Sequence, residues 1–383
     1  MESGLLEQWV IGLSVFLACW GLIAVAYKLL NLHRYGFSLK PFLLVVRSKR
    51  IAERLEGFGK HLARPWRIFM SVGVALSAGL MVFAFYFLTS SLIARLSAST
   101  GGGVYVIIPG VTIGWHVVPY FVLAATITIL IHEAFHAISF GSEGIPIKSF
   151  GVFLAAILPG GLVEADNEKF LSSRPLSKLR VYAAGSFSNF LVFLLALGLM
   201  SATISPTPNG VLVFNTLEGY PAHGVIMSWD VIVAINGERV YSLADLDRIL
   251  GSIPPGTTIN VTVLRGDNLL VVTLTTAPSP KNSSRSFMGV DIGNYFPPTV
   301  PWLSGEVYWH WFSSLYWLRL ISFSVAMFNM LPIPLLDGSG FVRSIVEGLL
   351  KDNKKASNLI INLIGSISLF LLLVNILIPA LRP

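Results

Sequence analysis

Of the chain's 383 residues, 54% are hydrophobic and only 12% are charged, about half the roughly 25% charged content of a soluble domain, which excludes a large globular core and indicates a polytopic membrane protein. A formal net charge of +7 without a long basic run gives no support for nucleic-acid binding and fits loop bias in a membrane protein. The single cysteine, Cys19, excludes an intrachain disulfide and a cysteine metal site.

In chain order, a first apolar segment runs from about Trp9 to Leu30. It lacks a basic n-region and a small-residue cleavage site, so it reads as a retained helix and not as a signal peptide. A basic loop follows, with Arg34, Lys40, Arg47, Lys49, Arg50, Arg54, Lys60, Arg64 and Arg67 against Glu53 and Glu56. The positive-inside rule makes this loop cytoplasmic and puts the N-terminus outside. Its middle, Pro41 to Gly57, mixes apolar and basic residues and has the composition of a segment lying along a membrane surface or of a solvated loop. A second span covers Ile68 to Ile93, and Ser97 to Gly103 reads as a glycine and serine turn. Val104 to Pro119 is apolar but broken by proline and glycine.

The third span, from Val117, ends in His132-Glu133-Ala134-Phe135-His136. Residues four apart share a helix face, so both imidazoles can aim at one point. In such an H-E-x-x-H arrangement the histidines hold Zn²⁺ and the glutamate takes a proton from the attacking water. Ionisable groups in so apolar a segment mark a functional site. Past this motif, Ile145 to Leu154 is β-branched and aromatic, Pro159-Gly160-Gly161 is a turn signal, and Leu162-Val163-Glu164 is a return strand. The spacing predicts a short β-hairpin near the active site, whose edge could hold an extended peptide. A fourth span, Val181 to Thr203, opens on small residues that let helices approach closely, with Asn189 as an interhelical donor.

Ser205 to about Gly293 is soluble in character, with β-branched runs separated by turns at Asn236-Gly237 and Gly266-Asp267-Asn268. Ser242 caps a helix from there to Leu250. Pro221-Ala222 followed by Asp230 to Glu238 resembles a PDZ domain of the protease-associated type, with Trp229 standing where such domains often carry a glycine. From Ser205 to Asp267 the acids outnumber the bases, which fits an extracytoplasmic location. A fifth span, starting at about Phe312 or Leu318, ends in Asn329-Met330-Leu331-Pro332-Ile333-Pro334-Leu335-Leu336-Asp337-Gly338, where two prolines forbid a regular helix. A sixth span, Asn358 to Leu381, returns outward.

The third and fifth spans run the same way, which brings His132, His136 and Asp337 to similar depth. Two histidines and a carboxylate leave a fourth tetrahedral position open, as in a catalytic zinc site. His116, His310 and Glu164 are further ligand candidates.

With these motifs the chain resembles the site-2 protease family of intramembrane zinc metalloproteases. The resemblance rests on His132-Glu133-x-x-His136, Asn329-x-x-Pro332-x-Pro334-x-x-Asp337-Gly338, the small-residue helix with Asn189, and the PDZ-like insertion, and spans Val117 to Gly340. It implies an α-helical polytopic membrane protein of about six transmembrane helices, with an inserted small α/β PDZ-like domain. Residues 1–204 and 295–383 would form the membrane region and 205–294 the insertion. The implied activity is hydrolysis of a peptide bond in or near a substrate's transmembrane helix, with Zn²⁺ as cofactor. Glu133 would be general base and then general acid, and Asn329 would hold the unwound substrate or the transition state. The implied partners are a membrane-protein substrate, a peptide or protein ligand of the PDZ-like domain, and the lipid bilayer. The implied location is multi-pass, in the cell membrane of a prokaryote, with the active site toward the cytoplasm and the insertion outside. Rival readings are a zinc transporter or sensor, against which Glu133 speaks, and an idle PDZ-bearing scaffold.

Overall fold

A computed structural model describes residues 2–97, 104, 106–109, 112–156, 158–280, 282–350 and 353–381. The chain forms two compact units, residues 1–194 with 317–383, and residues 195–316. In order, the elements are α1 (Glu2–Leu29), β1 (Phe37–Lys40), β2 (Leu43–Ser48), α2 (Lys49–His61), α3 (Ala63–Leu96), α4 (Val118–Ser142), β3 (Ile147–Ala155), β4 (Leu158–Ala165), α5 (Asn167–Ser172) and α6 (Pro175–Thr203). The insertion holds β5 (Val211–Thr216), β6 (Val231–Ile235), β7 (Glu238–Arg239), α7 (Leu243–Ser252), β8 (Thr258–Arg265), β9 (Asn268–Thr275), β10 (Ala277–Pro278), β11 (Ser286–Phe287) and β12 (Val290–Asn294). The chain closes with α8 (Gly305–Phe328), α9 (Asp337–Leu350) and α10 (Lys354–Leu381).

Among the described residues, four helical segments are long and apolar enough to cross a membrane: Ala63–Leu96, Trp115–Ser142, Pro175–Thr203 and Lys354–Leu377. With 28 and 24 residues, α1 and α8 have the length that a span of about 20 residues needs. The first half of α8 is aromatic and polar, with Tyr308, His310, Ser313, Ser314 and Tyr316 ahead of Arg319. It begins at Gly305, well before the Phe312 or Leu318 start expected above.

The basic loop after α1 is folded. Its β1 and β2 pair with each other, and β2 pairs with β3, so the expected two-stranded hairpin is half of a four-stranded sheet ordered β1-β2-β3-β4. Trp20 of α1 donates from Nε1 to the Ala156 carbonyl at the β3–β4 turn, 3.2 Å away. That turn lies at Ala156, with φ 53°, and not at Pro159-Gly160-Gly161 as the sequence signalled. The two glycines sit inside β4 because side chains lie over them. A Cβ on Gly160 would come within 2.2 Å of the Phe153 ring, and one on Gly161 within 2.1 Å of Glu133 Cγ.

Helix α2 carries Ser48 as its N-cap, accepting from the Ile51 N–H at 3.3 Å. It packs backbone to backbone on α4: a Cβ on Gly59 would stand 2.2 Å from the Ile138 carbonyl, and one on Gly141 2.4 Å from that of Glu56. The Glu56 carboxylate in turn accepts from the Ile147 N–H at 2.9 Å, joining α2 to β3. The C-terminal end of α4 is fixed by Glu143, which accepts from Arg180 at 3.1 Å and from Ser177 at 2.6 Å. Part of the expected glycine and serine turn, residues 98–103, lies outside the described residues.

In the second unit the main sheet runs β12-β5-β6-β8-β9, with β7 paired to β6. The β6–β7 turn is Asn236-Gly237 with φ of 49° and 83°, both positive as a two-residue hairpin of this hand requires. Ser242 caps α7, accepting from the Asp245 N–H. Buried Asp230 makes a two-pronged pair with Arg265 (2.8 and 2.7 Å), which raises the guanidinium pKa through those hydrogen bonds. Next to it Trp229 takes φ 75°, the left-handed conformation in which the glycine of related sequences is free of strain.

Candidate metal centre

α4 places His132 and His136 one turn apart, and the break after α8 brings Asp337 to them as the first residue of α9. From the sequence, the two prolines before Asp337 forbid a regular helix there. Past the prolines the chain turns straight into α9 at Asp337, where Gly338 lets the backbone close on itself. A Cβ there would lie 2.1 Å from the Met330 carbonyl, and the Gly338 N–H donates to the Asn329 carbonyl at 2.9 Å.

His132 Nε2, His136 Nε2 and Asp337 Oδ2 converge. The separations are 3.2 Å between the imidazoles, 3.0 Å from His136 to the carboxylate and 3.4 Å from His132 to it. Ligand atoms bonded tetrahedrally to zinc at about 2.0–2.1 Å stand about 3.3–3.4 Å apart. The three atoms thus have the spacing of a zinc donor set to within a few tenths of an ångström. The His136 side chain is 9% exposed and those of His132 and Asp337 12% and 19%, so the donors are largely out of solvent.

The surroundings set which nitrogen of each ring faces the centre. His136 donates from Nδ1 to the Val181 carbonyl of α6 at 2.8 Å, which leaves Nε2 as its lone-pair nitrogen. His132 Nδ1 lies 2.9 Å from the Asn189 amide. Asn189 Oδ1 is buried without a hydrogen-bond partner. A half-turn of that amide lets Oδ1 accept from Nδ1–H, satisfies the orphan oxygen and frees His132 Nε2 for a cation. Asn329 donates from Nδ2 to Asp337 Oδ2 at 2.7 Å, and its Oδ1 faces the Asp337 N–H at 3.4 Å. In this arrangement Asn329 orients the carboxylate. Glu133 lies against Gly161 of the edge strand β4, beside but outside the donor set.

Among the described residues the convergent group is His132, His136 and Asp337. Glu164 is not in it: it sits on β4 and accepts from Ser149 Oγ at 3.0 Å. Neither His116 nor His310 belongs to it. Sequence reasoning missed the Val181 carbonyl, which no side-chain pattern reveals. It also missed the specific use of Gly185, although the small-residue run Ala183 to Asn189 signalled close approach. A Cβ on Gly185 would lie 2.2 Å from His132 Nε2 and 2.5 Å from His136 Nε2, inside the space the donors face. Gly185→Ala is therefore expected to abolish zinc retention in folded, monodisperse protein, while Gly198→Ala in the same helix, where nothing stands within 4 Å, leaves it unchanged. Metal content by mass spectrometry reads the difference.

Two imidazoles and a carboxylate, with an adjacent glutamate on an apolar helix, are the groups that a metallopeptidase site uses. The chain belongs to peptidase family M50, the site-2 protease family, whose family model matches residues 120–374. It is 25% identical over 362 residues to MJ0971 of Methanocaldococcus jannaschii, a protein named as uncharacterized, covering 93% of this chain and 89% of that one. It is 28% identical over 197 residues to a membrane-bound transcription factor site-2 protease homolog of Arabidopsis thaliana, covering 49% of this chain and 38% of the plant protein. Among solved structures, the PDZ domain of the SdrC-like protein Lin2157 from Listeria innocua aligns with 22% of this chain and 92% of its own, at 24% identity and a TM-score of 0.20.

Proposed function

We propose that this chain is an intramembrane zinc endopeptidase that hydrolyses peptide bonds in or near transmembrane segments of membrane-protein substrates. The observation that carries the reading is the convergence of His132 Nε2, His136 Nε2 and Asp337 Oδ2 at zinc-donor spacing, with Glu133 next to His132 on an apolar helix. When bound, a zinc ion supplies Lewis acidity toward a peptide carbonyl and toward water. Glu133 takes the proton from the attacking water and returns it to the leaving amine nitrogen. His132, His136 and Asp337 hold the ion, and Asn189, Val181 and Asn329 hold those three in orientation. As the edge strand next to Glu133, β4 offers unpaired main-chain groups to which an unwound substrate segment can add.

In this reading α1 and α8 cross the bilayer with the four more apolar helices, which gives six spans. The basic loop and the site face the cytoplasm, and the PDZ-like insertion lies outside. Single cysteines placed by Lys49→Cys and Asp267→Cys in a Cys19→Ser background should react with impermeant reagents from opposite sides. Labelling of both from one side overturns the six-span arrangement.

The activity is tested by incubating purified, zinc-loaded protein with a panel of single-span substrates and locating cleavage by mass spectrometry. Cuts within or beside the span, lost on chelation and regained with zinc, are the expected result. Cleavage confined to soluble segments, or persisting after complete chelation, contradicts the reading.

A further inference from the structure

The main sheet of the second unit is covered differently on its two faces. One face carries the buried cluster of Val211, Val213, Ile232, Val261 and Val263 with Leu246 and Ile249 of α7. The other is crossed by a row of directly paired residues, Leu212 to Val231 to Leu264 to Leu269. Paired residues of antiparallel strands point to the same side, so this row lies on one face. At its start the row is closed over: Leu212 is 1% and Val231 2% exposed, packed with Leu264 against Trp229, Tyr295 and Trp309.

That packing surface is fastened to the end of an apolar helix. Thr203, the last residue of α6, accepts from Trp311 Nε1 at 3.0 Å and, through its carbonyl, from the Thr299 N–H at 2.9 Å. Met200 and Ile204 share one apolar cluster with Trp309, Trp311 and Phe312. The covered part of the face therefore rests on the outer end of a candidate membrane span, among aromatic residues of the kind that gather at a bilayer surface.

The far end of the row has no such cover. On the edge strand β9, Leu269 is 65% exposed, and Val271, two residues on and so on the same side, is 66% exposed. Further along, the face turns polar: Thr273 donates to Asn260 Oδ1, and Thr258 and Thr275 hydrogen-bond to each other. On this face the exposed apolar side chains of β9 are Leu269 and Val271, at the end of the hairpin where Leu269 pairs with Leu264, which packs against Trp309.

We propose that Leu269 and Val271 insert into the lipid leaflet at the α6 C-terminal end, so that the β8–β9 hairpin is a membrane contact of the inserted domain. The partner is the interfacial layer of the bilayer, the medium in which apolar side chains next to tryptophans are stable. A second copy of the chain adding to β9 would use the strand's edge. The apolar side chains stand instead on the face that Trp309 and the end of α6 already border. This inference rests on the membrane reading given above.

The test uses single cysteines in a Cys19→Ser background, carrying an environment-sensitive NBD label, in the full-length protein in phosphatidylcholine vesicles. Leu269→Cys is the test site. Glu238→Cys, on exposed β7, is the water reference, and Leu363→Cys, exposed on α10, is the span reference. At position 269 the expected result is blue-shifted emission, protection from iodide and quenching by lipids with doxyl groups high on the acyl chain. If position 363 is quenched by lipid while 269 behaves as 238 does, the inference is overturned. If 269 is protected from iodide but not quenched by lipid, a protein neighbour covers the strand and the inference is likewise overturned. If 363 itself is not reached by lipid quenchers, the membrane reading has failed instead.

Discussion

Glu133→Gln should reduce cleavage by about 10²–10⁴-fold, the usual effect of losing a general base, with zinc content unchanged. Glutamine has the shape of glutamate and fills the same place against Gly161, so the packing of α4 on β4 survives. What it loses is the capacity to accept a proton from water and pass it to the departing nitrogen. Because Glu133 stands outside the group of three converging donors, its charge is not needed to keep the metal. Parallel measurements of turnover and bound zinc in wild-type and variant protein decide the matter. Turnover near the wild-type rate would mean that another group activates the water.

Asp337→Ala should have the opposite signature, with zinc lost along with activity. In the proposed site the carboxylate is one of the three converging donors found among the described residues, so its removal should weaken binding beyond the roughly 10–100-fold typical of deleting an outer-shell partner. It also leaves the Asn329 amide without the acceptor it holds at 2.7 Å. Asp337→Asn keeps the shape but not the charge, and should retain zinc more weakly than wild type and more strongly than Asp337→Ala. Competition with a chromogenic chelator, on monodisperse fractions, gives the three affinities in one experiment. Full zinc occupancy in Asp337→Ala would remove Asp337 from the donor set and direct attention to Glu164.

The convergence of His132, His136 and Asp337 was legible in the sequence, for reasons particular to those residues. The spacing of His132 and His136 specifies a shared helix face, and a carboxylate as lonely as Asp337 in an apolar neighbourhood demands a cation. The Asn236-Gly237 turn and the Ser242 cap were equally local, since each depends on the φ preference or hydroxyl of one or two residues. What escaped depended on partners distant in the chain. No local signal shows that β2 will pair with β3 more than a hundred residues later. Gly160 and Gly161 carry the composition of a turn, yet they are strand residues beneath Phe153 and Glu133. Likewise α9 was hidden by the prolines before it, which stop a helix at one end and permit a new one at Asp337.

The glycine contacts between α2 and α4 bear on how a substrate reaches the site. At Gly59 and Gly141 each helix backbone occupies the volume where the other's side chain would be. Helices in such contact have no layer of side chains to slide on, and a shift along the axis drives the next bulkier residue into a carbonyl. α2 and α4 are therefore packed as one rigid strut, held at the C-terminal end of α4 by Glu143 with Arg180 and Ser177. Under the proposed function, a passage for a substrate helix does not open along that seam. On the same proposal, gating falls to elements that meet α4 elsewhere, and an inhibitor wedged between α2 and α4 would have to displace main chain to fit.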